Sequence, residues 1–78
     1  MLSFQIIDSG NAAQKGIQIH CDAVGMSVLM GALAELVGLR ASHMHLRGPS
    51  AGGSDLDETT PFGKEAVFQV IINYAEGD

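Results

Sequence analysis

A chain of 78 residues is shorter than the roughly 100–200 residues of a typical domain, so residues 1–78 are predicted to form a single domain. Its one cysteine, Cys21, excludes an internal disulfide and fits a reducing compartment, and no apolar run approaches the ~20 residues of a membrane span, so a cytoplasmic protein without a membrane partner is expected. The formal net charge of -5 argues against a nucleic acid partner, because phosphates need a basic surface.

The chain begins with the pattern of a β-hairpin. Apolar residues occupy every second position over residues 2–7 and again over residues 16–21, which is typical of strands with one buried face. Between them, residues 8–11 read Asp-Ser-Gly-Asn, a composition that favours a turn. The predicted buried face of this hairpin consists of Leu2, Phe4, Ile6, Ile17, Ile19 and Cys21. On this face Cys21 is expected to be a core residue rather than a nucleophile.

The period then changes to that of a helix, predicted over residues 23–37. Its expected apolar stripe is Met26, Leu29, Met30, Leu33, Leu36 and Val37. Asp22 is a predicted N-cap, and Gly38 a predicted left-handed stop. The opposite face is small rather than charged, so Gly31 and Gly38 suggest a surface for close self-association and a homodimer.

Two further strands complete the predicted fold, at residues 42–47 and 65–74, with a long loop at 48–63 between them. A loop of this length in a compact domain is usually functional or disordered. The element order is ββαββ, so we predict an α+β fold with one helix packed on one face of a four-stranded, mainly antiparallel sheet. The other sheet face is expected to stay open for binding.

Three polar side chains alternate with aliphatic ones in the third strand. His43, His45 and Arg47 therefore project from one face, and His20 of the second strand is expected to share it. Two histidines at this spacing suit a transition metal, and the alternative prediction is a small metal-binding protein or metal-dependent hydrolase with a third ligand from His20, Asp55 or Asp57. The nearby cation of Arg47 opposes a metal, so no cofactor is the main expectation.

The same residue types also suit acid–base chemistry of the ribonuclease kind, in which two histidines, or a histidine and a carboxylate, act across a substrate cleft and a cation binds phosphate. The acidity of the chain counts against a phosphate substrate, so no catalytic residue is assigned. In the loop, Asp55, Asp57 and Glu58 lie too close together for a calcium loop. They are predicted to form an acidic patch, either solvated or facing a basic protein partner.

Four motifs carry a family resemblance over residues 16–73. They are Gly25-Met26-x-x-Leu29 with Leu33 and Leu36, then His43-Met44-His45-Leu46, then Gly52-Gly53-Ser54-Asp55-Leu56, and finally Val70-Ile71-Ile72. With these motifs the chain resembles the immunity protein 32 family of bacterial polymorphic toxin systems. At the position of Asp55 the family pattern would place Glu.

The resemblance implies a non-enzymatic α+β protein that binds and neutralises a cognate toxin made by the same cell. It also implies that His43, His45 and Asp55 belong to the recognition site. Combined with the polar strand face and the acidic loop, it predicts a partner-binding surface made of His43, His45, Arg47, Asp55, Asp57 and Glu58. Charge in such a surface serves association rate and specificity more than net affinity.

Overall fold

A computed structural model describes residues 1–38 and 42–75 of the chain. The elements follow in the order β1 (Leu2–Ile7), a 3-10 turn (Ala12–Gln14), β2 (Gly16–Cys21), α1 (Ala23–Gly38), β3 (His43–Arg47), a second 3-10 turn (Pro49–Ala51) and β4 (Gln69–Asn73). The predicted α+β class and element order are confirmed. In the described stretches, no helix has the length and apolar character needed to cross a membrane.

The four strands form two antiparallel pairs, β1 with β2 and β3 with β4, so the predicted four-stranded sheet is not confirmed. Two backbone hydrogen bonds instead connect the halves. The Asp57 amide donates to the Leu2 carbonyl at 2.8 Å, and the Val67 amide donates to the Phe4 carbonyl at 2.9 Å. The carbonyls of Leu2 and Phe4, on the edge of β1 that faces away from β2, therefore bond to the loop and to the segment before β4.

β4 is shorter than the predicted strand at residues 65–74. Just before β4 begins, the pairing with the β3 side ends at the hydrogen bond from the Gly48 amide to the Phe68 carbonyl, at 2.8 Å. The residues before it bond elsewhere: Ala66 donates to the Glu58 carbonyl at 3.0 Å, and Val67 donates to β1. Pairing with β3 ends here because the chain turns into the loop at Gly48.

The core is built by all parts of the chain. Its buried members are Leu2, Phe4, Ala32, Leu46 and Leu56, and the half-buried side chains packed against them are Cys21, Leu29, Met44, Val67, Val70 and Ile72. Cys21 therefore lies at the core, as predicted. By contrast, Ile6, Ile17 and Ile19 of the predicted buried hairpin face are exposed, because α1 covers only the Leu2 end of that face.

Helix α1 is rotated relative to the predicted orientation. Two members of the predicted stripe pack inward, because Leu36 is buried and Leu29 contacts the core, and the other buried residues are Gly25 and Ala32. The remaining four members, Met26, Met30, Leu33 and Val37, are exposed. The reason is close packing at the first turn, where a Cβ on Gly25 would lie 1.8 Å from the Met1 carbonyl oxygen. Gly25 brings the first turn of the helix against the start of β1, and four large apolar residues of the predicted stripe remain outside.

The predicted cap at Asp22 is confirmed, because the Gly25 amide donates to Asp22 Oδ1 at 2.8 Å. The Met1 amino group bonds to the same oxygen. At the other end of the helix the prediction was wrong, because Gly38 is the last helical residue. Among the described residues, the glycines with positive φ are Gly10, Gly52 and Gly63.

The cap predicts a pH-dependent contribution to stability. The hydrogen bond from the Met1 amino group, followed by that from the Gly25 amide, holds the pKa of Asp22 below its ordinary value. A carboxyl whose pKa falls on folding stabilises the fold above its unfolded-state pKa, and this contribution is lost as pH falls through the folded-state pKa. We expect Asp22→Asn, which keeps a capping oxygen, to unfold at lower urea concentration than the wild type at neutral pH.

The urea midpoints of the wild type and Asp22→Asn should converge as the pH is lowered from 7 to about 2, because the wild-type carboxyl becomes protonated. Urea unfolding curves along that series measure the effect. If the difference between the two urea midpoints were the same at all pH values, the charge of Asp22 would not contribute to stability.

Candidate recognition face

A polar row lies on the outer face of the β3–β4 pair. In the observed register His43 is opposite Asn73, His45 is opposite Ile71, and Arg47 is opposite Gln69, and residues directly opposite in an antiparallel pair share a face. Met44 and Leu46 lie on the other face, towards the core. The predicted separation of β3 into a polar and an aliphatic side is therefore confirmed. We call His43, His45, Arg47, Gln69 and Ile71 the recognition face.

The side chains of this row hold one another in place. The Arg47 Nε–H donates to Gln69 Oε1 at 3.2 Å, and His45 Nδ1 lies 3.2 Å from the same oxygen. Since that oxygen only accepts, His45 Nδ1 is the donor, and Nε2 of the neutral ring is left as an acceptor. The rings of His43 and His45 meet edge to face with centroids 5.2 Å apart.

Gln69 was missed by the sequence analysis. Its place in the row depends on the register between β3 and β4, which the sequence does not reveal. The signal that was present is the polar residue at the start of the last strand, at a position that an antiparallel return would bring to the end of β3.

The loop that follows β3 is fixed to the end of the strand. The Arg47 carbonyl accepts hydrogen bonds from the amides of Asp55, at 2.9 Å, and Leu56, at 3.2 Å. In return the Arg47 amide donates to Asp55 Oδ2 at 3.2 Å. A Cβ on Gly53 would lie 2.6 Å from the Arg47 Cβ, so only glycine fits this approach. Asp55 is thus held at the Arg47 end of β3, and its place in a recognition site stays a prediction.

The other two predicted acidic contacts have internal partners. Asp57 Oδ2 accepts from the Leu2 amide at 3.1 Å, which ties the loop to β1. Glu58 accepts from the Ser50 amide at 2.7 Å and from the Ser50 hydroxyl at 2.6 Å. These carboxylates order the loop rather than forming a freely solvated tip. A direct role for Asp57 and Glu58 in partner binding stays a prediction.

His20 does not join the other histidines. It lies on β2, in the other sheet, where its Nε2 is 3.2 Å from Gln5 Oε1 and its ring meets Phe62 edge to face at 6.0 Å. Within residues 1–38 and 42–75, no cluster of three or more His, Cys, Asp or Glu side chains is arranged to hold a metal ion. The three-histidine ligand set of the alternative prediction is therefore not assembled.

The two-histidine form of the acid–base arrangement is not formed either, and its histidine–carboxylate form stays a prediction. Two histidines acting across a substrate need space between their rings, whereas the rings of His43 and His45 are in edge contact. The pair instead presents one continuous aromatic and hydrogen-bonding surface.

A cleft of about 380 Å³ borders the row between α1 and β3. Its lining includes the side chains of Glu35, His45 and Asp55. Glu35 was missed because its helix face was interpreted as a small-residue face, and the rotation of α1 brings it beside β3. Two acidic residues, Glu35 and Asp55, therefore share this cleft with His45.

Comparison with known proteins identified no relative: no family model, curated protein or solved structure matches this chain.

Proposed function

We propose that this protein is a non-enzymatic binding protein that neutralises a cognate bacterial toxin in the cytoplasm of the cell that makes both. The recognition face and the adjoining loop at 48–63 bind the toxin. The observation that carries the proposal is the hydrogen-bonded row in which Gln69 orders both His45 and Arg47 on an exposed sheet face. The family resemblance in the same strand and loop supports the same conclusion.

The composition of this face suits protein recognition. Ile71 is 48% exposed and lies directly opposite His45, so an apolar side chain is surrounded by polar ones. Protein interfaces commonly have an apolar centre with a polar rim, and arginine is enriched among the residues that dominate their binding energy. Because the polar groups are already ordered by one another, less side-chain entropy is lost when the partner binds.

Charge favours a basic partner. The chain carries a net charge of -5, and Glu35 and Asp55 add negative charge beside the recognition face. A basic surface on the toxin would be attracted to this region, which would speed association and lower the affinity for acidic competitors. The loop is fixed through Asp55, Asp57 and Glu58, so the acidic side chains reach the partner in a defined arrangement.

The test is colony formation in a bacterial host that expresses the open reading frame adjacent to this gene, with and without this protein from a second plasmid. We expect the neighbouring product to be toxic and this protein to relieve the toxicity. His43→Ala/His45→Ala should fail to relieve it. With purified proteins, the same double variant should weaken a one-to-one complex by about 100-fold, the loss typical of two central interface contacts.

His20→Ala is the matched control, because it removes the same ring from the other sheet. It should protect as well as the wild type. A harmless neighbour would overturn the proposal, as would a double variant that binds and protects like the wild type. Circular dichroism of the double variant establishes that its fold is retained, which is expected because both substituted side chains lie on the outer face.

A further inference from the structure

The outer edge of β2 presents unpaired backbone groups. In the β1–β2 register the Asp22 amide bonds to the Met1 carbonyl, so alternate residues of β2, such as Gln18 and His20, bond to β1. The amides and carbonyls of Ile17, Ile19 and Cys21 therefore point away from β1. No residue in the described part of the chain bonds to them.

This edge lacks the features that commonly protect an edge strand. β2 reads Gly-Ile-Gln-Ile-His-Cys, with no proline, lysine or carboxylate. The outer edge of β3 differs, because the loop covers its end at Arg47. A regular, uncharged edge strand is a template for pairing with another strand.

Apolar side chains on the same hairpin add to this edge. Ile6 and Ile17 are each 67% exposed, and Ile19 is 50% exposed. With Phe4, Val67, Gln69 and Val70 they line a groove of about 350 Å³ whose surface is almost entirely apolar. The backbone edge and the apolar groove therefore lie along one strand, where a single partner can satisfy both.

We propose that a second copy of this chain pairs antiparallel along β2, about a two-fold axis, to form a four-stranded sheet across the dimer. Two copies with a charge of -5 each repel, so they approach best at a surface without charge, and β2 is such a surface. In this arrangement the edge is self-complementary: each copy supplies the same alternating donors and acceptors, and Ile17 and Ile19 of both copies share one face.

A specific dimer takes roughly 600–1,000 Å² from each partner, so the seam has to include the apolar groove as well as the backbone edge of β2. Burial of the exposed isoleucines also adds apolar area to a domain too small to bury a large core alone. The β2 edge belongs to the β1–β2 pair and the recognition face to the β3–β4 pair, and the groove beside β2 reaches the recognition face at Gln69.

Sedimentation velocity of the wild type, Ile19→Lys and Ile71→Lys tests the proposal. Ile71 is 48% exposed on β4, whose uncharged outer edge also has no partner in the described part of the chain, so Ile71→Lys distinguishes that edge from the edge of β2. We expect the wild type and Ile71→Lys to be dimers. Ile19→Lys should raise the dissociation constant at least about 100-fold, because each dimer would have to bury two lysines at the seam.

Amide hydrogen exchange supplies a second readout, and its measurement on the wild type does not depend on how the variant folds. In the wild-type dimer the amides of Ile17, Ile19 and Cys21 should be protected, whereas in Ile19→Lys those of Ile17 and Cys21 should exchange quickly. The amides of Gln18 and His20 bond to β1 and should stay protected in both proteins.

Three results would overturn the proposal. The first is a wild type that is monomeric at micromolar concentrations. The second is rapid exchange at Ile17 and Cys21 in a wild-type dimer. The third is a dimer that survives Ile19→Lys but dissociates in Met30→Lys, which would place the interface on the exposed stripe of α1.

Discussion

Leu56→Ala is expected to lower the free energy of unfolding by about 2–5 kcal/mol, the usual range for removing a leucine side chain from a core. Leu56 lies in the long loop between β3 and β4, yet it is only 3% exposed and belongs to the buried cluster. Its backbone is held there by the hydrogen bond from its amide to the Arg47 carbonyl. The loop is therefore part of the folded core.

Leu33→Ala is the matched control, because it removes the same atoms from a position that is 42% exposed. Alanine is also the better helix former, so Leu33→Ala should cost less than about 1 kcal/mol. Urea unfolding of both variants at one protein concentration measures the difference. Equal effects of the two substitutions would show that the loop does not contribute to the core.

The strands could be predicted well from the sequence because a period of two is strong and local. β1 and β2 match their predicted ranges, and the polar side of β3 is the one that alternation indicates. How the strands join depends instead on contacts far apart in sequence. The hydrogen bonds from Asp57 and Val67 to β1 could not be inferred from any local pattern, so the division into two sheets was missed.

The orientation of α1 could not be predicted because the helix is apolar on more than one side. Periodicity favoured the stripe with the largest side chains, whereas packing against Met1 selected the side with Gly25 and Ala32. The candidate site was affected by this error, because the observed orientation of the helix places Glu35 in the lining of the cleft that His45 also lines. His43, His45 and Arg47 were identified correctly as neighbours because they share one strand.

Acidic residues in the loop show a second limit of sequence reasoning. A run of carboxylates is usually a solvated surface, and that was one expectation for Asp55, Asp57 and Glu58. In the structure each carboxylate accepts a backbone hydrogen bond, from Arg47, Leu2 and Ser50 respectively. Such bonds cross between segments up to 55 residues apart, which is why composition alone did not reveal them.

Gly25→Ala is expected to destabilise the protein by at least about 2 kcal/mol, although alanine is normally the better helix former. A Cβ at this position would lie 1.8 Å from the Met1 carbonyl oxygen and 3.2 Å from the Cys21 Cβ. Both neighbours belong to the hairpin, so relief requires a backbone shift rather than a side-chain rotation. The first turn of α1 would have to move away from the start of β1.

Gly31→Ala is the control within the same helix. A Cβ there would meet nothing within 4 Å, so the substitution should stabilise the protein by about 0.5–1 kcal/mol through helix propensity alone. The two variants therefore have opposite expected signs in urea unfolding. If Gly25→Ala were also stabilising, the close approach of α1 to Met1 would not exist in solution, and the orientation that brings Glu35 beside His45 would lose its physical cause.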